Sequence, residues 1–310
     1  SYKGEFPFLK EVDSLSLANA QLNLNTAFKN FFREPSVGFP KFKSKKSNHF
    51  SYTTNNQGGT VSLSDRYLRL PKLKSLVRIK RHRGFQGLIK SVTISKTPSG
   101  KYFASLLVET EAIVPFPQSN TTVGLDLGIK DFCVASDGQV YANPKHLKKS
   151  EARLKKLQKD LSRKQKGSVN RNKARLRVAK LHERIANQRK DFLHKLSTKL
   201  IRENQSIVVE SLKVKDMLQN KQLAKEISDA SWSLFIGMLQ YKSNWYHRNL
   251  LTADTYYASS QLCHVCGYKN TEVKDLSVRR WTCPKCHTKH DRDYNASKNL
   301  EAMASKAIAI

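Results

Sequence analysis

The spacing of hydrophobic and polar positions changes along the chain, and each spacing predicts a different kind of element. Residues 13–33 place apolar side chains at helical intervals, and either Asp13 or Ser14 can cap the start of that helix. Residues 49–110 instead show short alternating runs separated by Gly, Pro and Asn. Evenly spaced short strands of this kind predict a small antiparallel barrel or sandwich. A proline-containing linker follows, and a second domain begins near residue 120.

Two apolar strands of the second domain each carry one acidic residue. The first, at 121–130, contains Asp126, and the second, at 205–211, ends in Glu210. A carboxylate in a buried strand costs several kcal/mol unless a cation compensates it, so both residues are candidates for a functional site. The alternative interpretation of either acid alone is a strand end that reaches solvent.

Between these strands, residues 145–190 predict two basic helices. This stretch holds 18 Lys and Arg but only 3 Asp and Glu, and residues 167–170 interrupt it as a turn. Apolar positions on the second helix keep a three-to-four spacing at Ala174, Val178, Leu181, Ile185, Phe192, Leu196 and Leu200. A charge run is usually only a solvated helix face. This imbalance would repel itself without a polyanion alongside, which favours binding to a nucleic-acid backbone.

Candidate backbone contacts come from two basic segments. In the helices they are Lys155, Lys156, Arg163, Arg171, Arg175 and Arg184. The second segment, residues 38–46, alternates cations with aromatic rings and contributes Lys41, Lys43, Lys45 and Lys46. That alternation suits a strand or loop that contacts nucleic acid with ring stacking, although a basic surface loop explains the composition equally well.

Composition points to the same class of partner. The 310 residues include 56 Lys and Arg against 25 Asp and Glu, which gives a formal net charge of +31. So positive a field attracts polyanions, of which nucleic acid is the default, although ribosomal and membrane-surface proteins share this balance. With 39% hydrophobic residues the chain can build two or three domains. No run approaches 18 consecutive apolar residues, so the sequence predicts no membrane span.

Four of the five cysteines form two short pairs near the end of the chain. Sixteen residues separate Cys263 and Cys266 from Cys283 and Cys286, which is the spacing of a four-thiolate zinc site. Disulfides are the rival interpretation, which is the weaker one for a lysine-rich chain in which no secretion signal is seen. Cys133 lies in an apolar run and is interpreted as a buried thiol.

At these positions the chain resembles the TnpB family, which are transposon-encoded RNA-guided nucleases related to the type V CRISPR effectors. The resemblance is carried by residues 124–130, 210–212, 259–267, 281–286 and 290–299, and extends over essentially the whole chain, including 38–43. It implies an α/β chain with an RNase H-like (RuvC) nuclease domain. Into that domain are inserted a basic helical hairpin and a zinc ribbon, and a β-barrel wedge domain and a remnant helical recognition lobe precede it.

The resemblance also implies an order of domains. These are a recognition segment and basic linker at 1–48, a β-barrel (wedge) domain at 49–118, the nuclease domain at 119–258 with its helical hairpin at 143–204, a zinc ribbon at 259–289, and the final nuclease motif and helix at 290–310. From this resemblance we expect the family's opening barrel strand and first recognition helices to be missing from the sequence given, as in a truncated gene product or a partial record. We therefore expect weakened reading of the short duplex motif beside the target, which the family reads partly through that segment.

The family's three catalytic carboxylates fall on Asp126, Glu210 and Asp293. They would hold two Mg²⁺ ions, and hard divalent ions prefer oxygen ligands, whereas the four cysteines would hold one Zn²⁺. In the last motif Asp293 is preferred over Asp291, because the family's acid precedes x-Asn-Ala and Asp291 can cap the helix. Asn295 and Arg292 could orient the ions or the scissile phosphate, or could make structural hydrogen bonds.

The resemblance therefore predicts an enzyme, a Mg²⁺-dependent endonuclease encoded by a transposable element that cuts target DNA under the direction of a guide RNA. Guide pairing would supply sequence specificity, and the protein would supply backbone contacts and the cutting centre. The expected particle is a cytoplasmic, nucleoid-associated prokaryotic ribonucleoprotein with one protein chain, guide RNA and target DNA, and no membrane partner. Two alternatives stay open: a nuclease-impaired RNA-guided DNA binder that regulates transcription, and a guide-free resolvase or transposase.

Overall fold

The chain folds into two compact units in the computed structural model. The structure describes residues 2–42, 44 and 50–308, without the side chains of residues 35 and 305–308. Unit 1 comprises residues 1–112 together with 163–180, and unit 2 comprises residues 113–162 together with 181–310. The turn of the basic hairpin and the start of its second helix therefore group with the residues of unit 1.

The main helix of unit 1 confirms the helix predicted at 13–33. Helix α1 spans Ser14–Arg33. Asp13 is its cap, because the carboxylate Oδ2 of Asp13 accepts a hydrogen bond from the Ser16 amide at 3.0 Å. The same oxygen accepts a hydrogen bond from the Thr54 hydroxyl at 2.5 Å, which ties the start of the helix to the strand that contains Thr54.

Six short strands of unit 1 form two antiparallel sheets. In chain order they are β1 (Phe50–Asn55), β2 (Ser62–Leu63), β3 (Tyr67–Arg69), β4 (Val77–Arg78), β5 (Leu88–Lys96) and β6 (Tyr102–Glu109). One sheet has the order β1-β5-β6 and the other β2-β3-β4. A common core contains Val61, Leu68, Leu70 and Val92. Strands β2 and β4 are only two residues long, and among the described residues no ladder joins the two sheets, so the choice between barrel and sandwich stays a prediction.

Unit 2 is built on a mixed five-stranded sheet. Its strands are β7 (Thr122–Leu127), β8 (Asp131–Ala135), β9 (Val140–Ala142), β10 (Ser206–Val209) and β11 (Asn249–Thr252). Their order is β11-β10-β7-β8-β9, with β10 parallel to both of its neighbours and the β7-β8-β9 meander antiparallel. Because β7 and β10 are parallel, their carboxyl ends, which carry the two acids, lie at the same edge of the sheet.

The remaining elements include the predicted basic hairpin. They are α2 (His146–Ser162), α3 (Val169–Glu203), α4 (Val214–Met217), α5 (Ala224–Ala230), α6 (Trp232–Tyr246), β12 (Arg280–Thr282), β13 (Lys289–Asp291) and α7 (Arg292–Ile308). Helices α2 and α3 confirm that the basic stretch forms two helices with a break between them. On the predicted apolar face of α3, Val178 and Phe192 are half-buried and the rest are buried, namely Ala174, Leu181, Ile185, Leu196 and Leu200. Among the described helices, none has the length and apolar character needed to cross a membrane.

Side-chain alternation gives the central strands of unit 2 two different faces. One face points into the main core of the unit, through Val123, Leu125, Ile207 and Val209. The intervening Gly124 and Val208 face α7, where Val208 packs with Leu300. Asp126 and Glu210 continue this second alternation, so both acids lie on the α7 face of the sheet.

The contact between α7 and β7 requires glycine at position 124. A Cβ atom there would lie 2.1 Å from the Ser297 carbonyl oxygen and 2.5 Å from the Glu301 amide nitrogen. Both atoms belong to the backbone of α7, so neither can move aside without a shift of the whole helix.

We expect Gly124→Ala to lower the free energy of unfolding by about 2–3 kcal/mol, because the added methyl group overpacks a backbone contact. Gly237→Ala is the matched control. Gly237 lies in α6 with nothing within 4 Å of its Cβ position, so alanine there should raise the free energy of unfolding by about 0.5–1 kcal/mol. Urea unfolding of the purified variants measures both signs, and a Gly124→Ala protein as stable as the wild type would contradict the close packing.

Lys242 is a buried cation in α6. Its side chain is 6% exposed, and Nζ donates to the Ser197 hydroxyl at 2.7 Å, to the Thr198 hydroxyl at 2.8 Å and to the His194 carbonyl oxygen at 3.0 Å. Burial lowers the pKa of Lys242, because the charged ammonium group loses its water on folding.

Lys242→Met should change the free energy of unfolding by less than about 1.5 kcal/mol at neutral pH, since an apolar chain of similar volume can replace a buried charge. The pH dependence has a defined sign. Between the folded-state and unfolded-state pKa values of Lys242 the folded protein binds fewer protons. The free energy of unfolding of the wild type, relative to that of Lys242→Met, therefore increases with pH in this window. The window begins at the lowered folded-state pKa and ends at the pKa of an ordinary lysine. Urea unfolding of both proteins at several alkaline pH values measures the difference between their free energies of unfolding. A difference that does not change with pH would contradict the lowered pKa.

Candidate functional site

The register of β7 and β10 places two of the predicted acids side by side. Val209 pairs with Leu125, so Glu210 and Asp126 are the next residues along two adjacent parallel strands. Both side chains are half-buried, and both follow the alternation that faces α7. The strand pairing alone thus brings together residues that are 84 positions apart in the chain.

The third acid comes from the first turn of α7. Asp291 Oδ1 accepts hydrogen bonds from the amides of Asp293 at 3.2 Å and Tyr294 at 3.1 Å, so Asp291 is the cap of this helix. One turn after Asp293, Ser297 meets β7 at Gly124. The half-buried Asp293 therefore projects from the helix that covers the two strand acids.

The three acids are close enough for the negative charge of one to affect the pKa of another. Burial raises the pKa of Asp126 well above its usual value, and the negative charges of Glu210 and Asp293 raise this pKa further. Burial also raises the pKa of Glu210. The hydroxyl of Ser259 opposes that shift, because it donates a hydrogen bond to Glu210 Oε1 at 2.5 Å.

Two arginines offset part of this negative charge, and both lower the pKa of Asp126. Arg279 donates to both carboxylate oxygens of Asp293, at 3.2 and 3.4 Å, and remains exposed. Arg292 is buried, and its guanidinium donates to the Asp275 carbonyl oxygen at 2.8 Å. Arg292 therefore supplies a fixed positive charge, whereas Arg279 reaches the acids from the surface.

The carboxylates do not form a closed coordination shell. Across the part of the chain that the structure describes, the four cysteines are the only set of three or more Cys, His, Asp or Glu ligand atoms that all lie within 4.8 Å of one another. Asp126, Glu210 and Asp293 therefore lie on one face of the sheet, but their carboxylate oxygens are not all within 4.8 Å of one another. A divalent cation bound here would draw the carboxylates together and compete with Arg279 for the oxygens of Asp293.

The four predicted cysteines, by contrast, meet at one point. The sulfur atoms of Cys263 and Cys286 are 3.6 Å apart, as are those of Cys266 and Cys283. Zn–S bonds of about 2.3 Å in a tetrahedron place sulfur atoms about 3.8 Å apart, so the thiols are arranged for zinc. A disulfide needs sulfur atoms about 2.05 Å apart, and all five cysteines are free thiols.

Both cysteine pairs adopt the same short turn, which we call a knuckle. In the first knuckle the Gly267 amide donates to the Cys263 carbonyl oxygen at 2.9 Å, and in the second the His287 amide donates to the Cys283 carbonyl oxygen at 2.9 Å. The donor residue has a positive φ in each case, 72° at Gly267 and 57° at His287. Each turn therefore presents its two sulfur atoms with the same backbone geometry.

Most of the predicted nucleic-acid contacts are exposed basic side chains. They are Lys41, Lys155, Lys156, Arg163, Arg175 and Arg184. Arg171 is half-buried, and its guanidinium donates to the Lys164 carbonyl oxygen at 3.0 Å, which stabilises the turn between α2 and α3. Lys43, Lys45 and Lys46 lie outside the described residues. Binding of nucleic acid by this set stays a prediction.

Most of this sequence matches known protein families and named relatives. Residues 105–221 match the OrfB_IS605 family, described as "Probable transposase", and residues 232–300 match the family described as "Cas12f1-like, TNB domain". A Streptomyces pristinaespiralis protein, named provisionally as an RNA-guided DNA endonuclease, is 43% identical over 98% of this chain and 75% of its own length. InsQ of Escherichia coli K12, named in the same provisional way, is 32% identical over 98% of this chain and 78% of its own length. The chain belongs to the TnpB family.

The fold of this TnpB-family chain also occurs among solved structures. A chain of the Cas12f1–sgRNA–target DNA complex, determined by cryo-EM, matches it with a TM-score of 0.55 and 14% sequence identity. The match covers 88% of this chain and 67% of the other. At this level of identity the likeness shows a shared fold.

Three residues of the site were not singled out from the sequence. Ser259 and Asn299 lie inside the motifs that carry the TnpB resemblance, and the Asn299 side chain donates to the Ser259 carbonyl oxygen at 2.7 Å. Because Asn299 follows Asn295 by one helical turn, the pairing of two amides on one face of α7 could have indicated Asn299. Arg279 has no such signal, because its role depends on the fold that brings the residue before β12 to the start of α7.

Cys283→Ser should remove one zinc ion per chain and lower the melting temperature, because the binding free energy of structural zinc, about 10 kcal/mol in small zinc fingers, is largely folding free energy. Elemental analysis and thermal unfolding measure the two effects. Cys133→Ala is the control, since Cys133 is 0% exposed in the main core of unit 2 and should leave the zinc content unchanged. A wild-type protein without zinc, combined with an unchanged melting temperature in Cys283→Ser, would contradict the assignment.

Proposed function

We propose that this TnpB-family chain is an RNA-guided DNA endonuclease whose cutting centre consists of Asp126, Glu210 and Asp293. The observation that supports the proposal is the convergence of three carboxylates, from distant parts of the chain, on one face of one sheet. The order of the five strands, with its antiparallel meander, fits an RNase H-like (RuvC) domain. Two relatives that are 43% and 32% identical to this chain over 98% of its length are named provisionally for the same activity.

The three acids would hold two Mg²⁺ ions, since hard divalent cations prefer oxygen ligands. The raised pKa of Asp126 reflects burial and negative charge that the neighbouring arginines do not fully compensate, and bound cations would supply this compensation. When bound, such a pair of ions activates water and stabilises the leaving oxygen of a phosphodiester.

Neighbouring side chains would orient the acids for this task. Ser259 holds Oε1 of Glu210 and so fixes the direction of that carboxylate. Arg279 now holds Asp293, and its guanidinium would exchange the carboxylate for the scissile phosphate, which it can bind in the same bidentate manner. Asp291, which caps α7, would set the position of Asp293 without binding an ion.

The expected partners are guide RNA and target DNA. A net charge of +31 and the exposed cations of α2 and α3 provide a surface for phosphate backbones. Base pairing between guide and target would provide the sequence specificity. The four cysteines would hold one structural zinc ion in a ribbon at 259–289.

Asp126→Asn and Asp293→Asn should each lower the rate of Mg²⁺-dependent DNA cleavage by about 1,000-fold or more, because each removes a carboxylate ligand without changing the size of the side chain. The measurement is single-turnover cleavage of DNA that matches the RNA copurifying with the protein. Asp291→Asn is the matched control, because asparagine caps a helix as well as aspartate does, and this variant should cleave within about threefold of the wild-type rate.

Sequencing of the bound RNA shows whether each variant still assembles with its guide. Cleavage by Asp126→Asn at the wild-type rate would refute the assigned site. A wild-type chain that binds guide and target but cuts neither strand in Mg²⁺ would refute the endonuclease proposal and leave an RNA-guided DNA binder.

A further inference from the structure

Two buried amides of α7 hold the segment that joins the acids to the cysteines. Asn295 and Asn299 lie one turn apart and are 0% and 6% exposed. Both side-chain nitrogens donate to the Leu262 carbonyl oxygen at 2.6 Å, and Asn299 also donates to the Ser259 carbonyl oxygen at 2.7 Å. Asn295 Oδ1 accepts a hydrogen bond from the His264 amide at 3.0 Å and lies 2.9 Å from His264 Nδ1.

The segment that these amides hold, residues 259–264, has a functional group near each end. At its start, the Ser259 hydroxyl donates to Glu210 Oε1 at 2.5 Å. Near its end, Cys263 is the first sulfur of the four-cysteine cluster. The helix that carries both amides also carries Asp293. Helix α7 therefore carries Asp293, holds the residue that bonds to Glu210, and holds the segment that contains Cys263.

A second contact links the cysteines to the start of α7. His290 Nε2 lies 3.1 Å from Cys263 Sγ, and the His290 ring packs against Trp281 with centroids 4.5 Å apart. His290 directly precedes Asp291, the cap of α7. The first knuckle is thus held on one side by the two amides and on the other by the strand that leads into the helix.

These contacts decide the role of Asn295. Its oxygen is committed to His264 and its nitrogen to Leu262, and the side chain is fully buried. Of the two roles considered for this residue from the sequence, the geometry supports the structural hydrogen bonds and not the orientation of ions or phosphate.

We propose that Asn295 and Asn299 are positioning residues that couple zinc at the four cysteines to the binding of a divalent ion by the acids. Zinc would fix the Cys263 end of segment 259–264, and the amides would transmit that order to the Ser259 end, which orients Glu210. The inference rests on the proposed function of the three acids. Loss of zinc frees one end of the segment, so the acids bind their ion more weakly.

Binding of Mn²⁺ to the whole chain, freed of copurified RNA and followed by electron paramagnetic resonance, tests the coupling without a cleavage assay. Mn²⁺ is the probe in place of Mg²⁺. Mn²⁺ binding that is present in the wild type and absent from Asp126→Asn is assigned to the three acids. Removal of zinc with a chelator should weaken this Mn²⁺ binding by about 10-fold or more in the wild type, within the usual range of coupling between two sites. Circular dichroism confirms that the zinc-free chain stays folded.

Asn299→Leu keeps the approximate size of the side chain but removes the donor to Ser259 and Leu262. It should retain one zinc ion per chain and, with that zinc bound, hold Mn²⁺ as weakly as the zinc-free wild type. Ser259→Ala breaks the path at its other end, beside Glu210, and should give the same result even if Asn299→Leu fails to fold. In either variant, zinc removal should change the Mn²⁺ affinity by less than about twofold.

Equal Mn²⁺ affinity of the folded wild type with and without zinc would overturn the coupling. If zinc removal weakens Mn²⁺ binding in folded Asn299→Leu or in Ser259→Ala as much as in the wild type, the coupling does not pass through Asn299 and Ser259. If instead Asp126→Asn binds Mn²⁺ as tightly as the wild type, the acid site itself is wrong, and the proposed function fails together with the inference.

Discussion

The close backbone contact between α7 and β7 is the constraint on which both sites depend. Because Gly124 has no Cβ, the helix lies directly against the strand at Ser297. The first turn of α7 then stands beside the ends of two parallel strands, and the next turn reaches the segment that enters the cysteine knuckles. A bulkier residue at position 124 would separate three carboxylates and two buried amides from their partners at the same time.

The charge distribution of the chain serves two opposite purposes. The surface of α2 and α3 is strongly cationic, in keeping with a net charge of +31, and such a surface would attract phosphate backbones over long distances. The edge of the sheet in unit 2 instead gathers acids in a partly buried place, where burial and mutual repulsion raise the pKa of Asp126. By the proposed function, the acidic edge would draw small cations and the cationic helices would draw nucleic acid.

Local patterns made much of this structure predictable. Helical periodicity indicated α1 and the basic hairpin, cysteine spacing indicated the thiol cluster, and isolated acids in apolar strands indicated Asp126 and Glu210. The choice of Asp293 came from family resemblance, and the hydrogen bonds of Asp291 now explain that neighbour as a cap. Features that depend on tertiary contact left no periodic signal, among them the hold of Arg279 on Asp293 and the division of the short strands of unit 1 into two sheets.

The cysteines differ in how far their thiols are exposed to reagents in solution. Cys133 is 0% exposed, and burial raises the pKa of its thiol, so a soluble alkylating reagent finds neither the sulfur nor its reactive thiolate in the native protein. The knuckle sulfurs Cys266 and Cys286 lie nearer the surface, where bound metal would protect them and an apo chain would expose them. The number of thiols labelled per native chain would therefore report how many four-cysteine clusters lack metal, which offers a direct chemical assay of metal loading in any preparation.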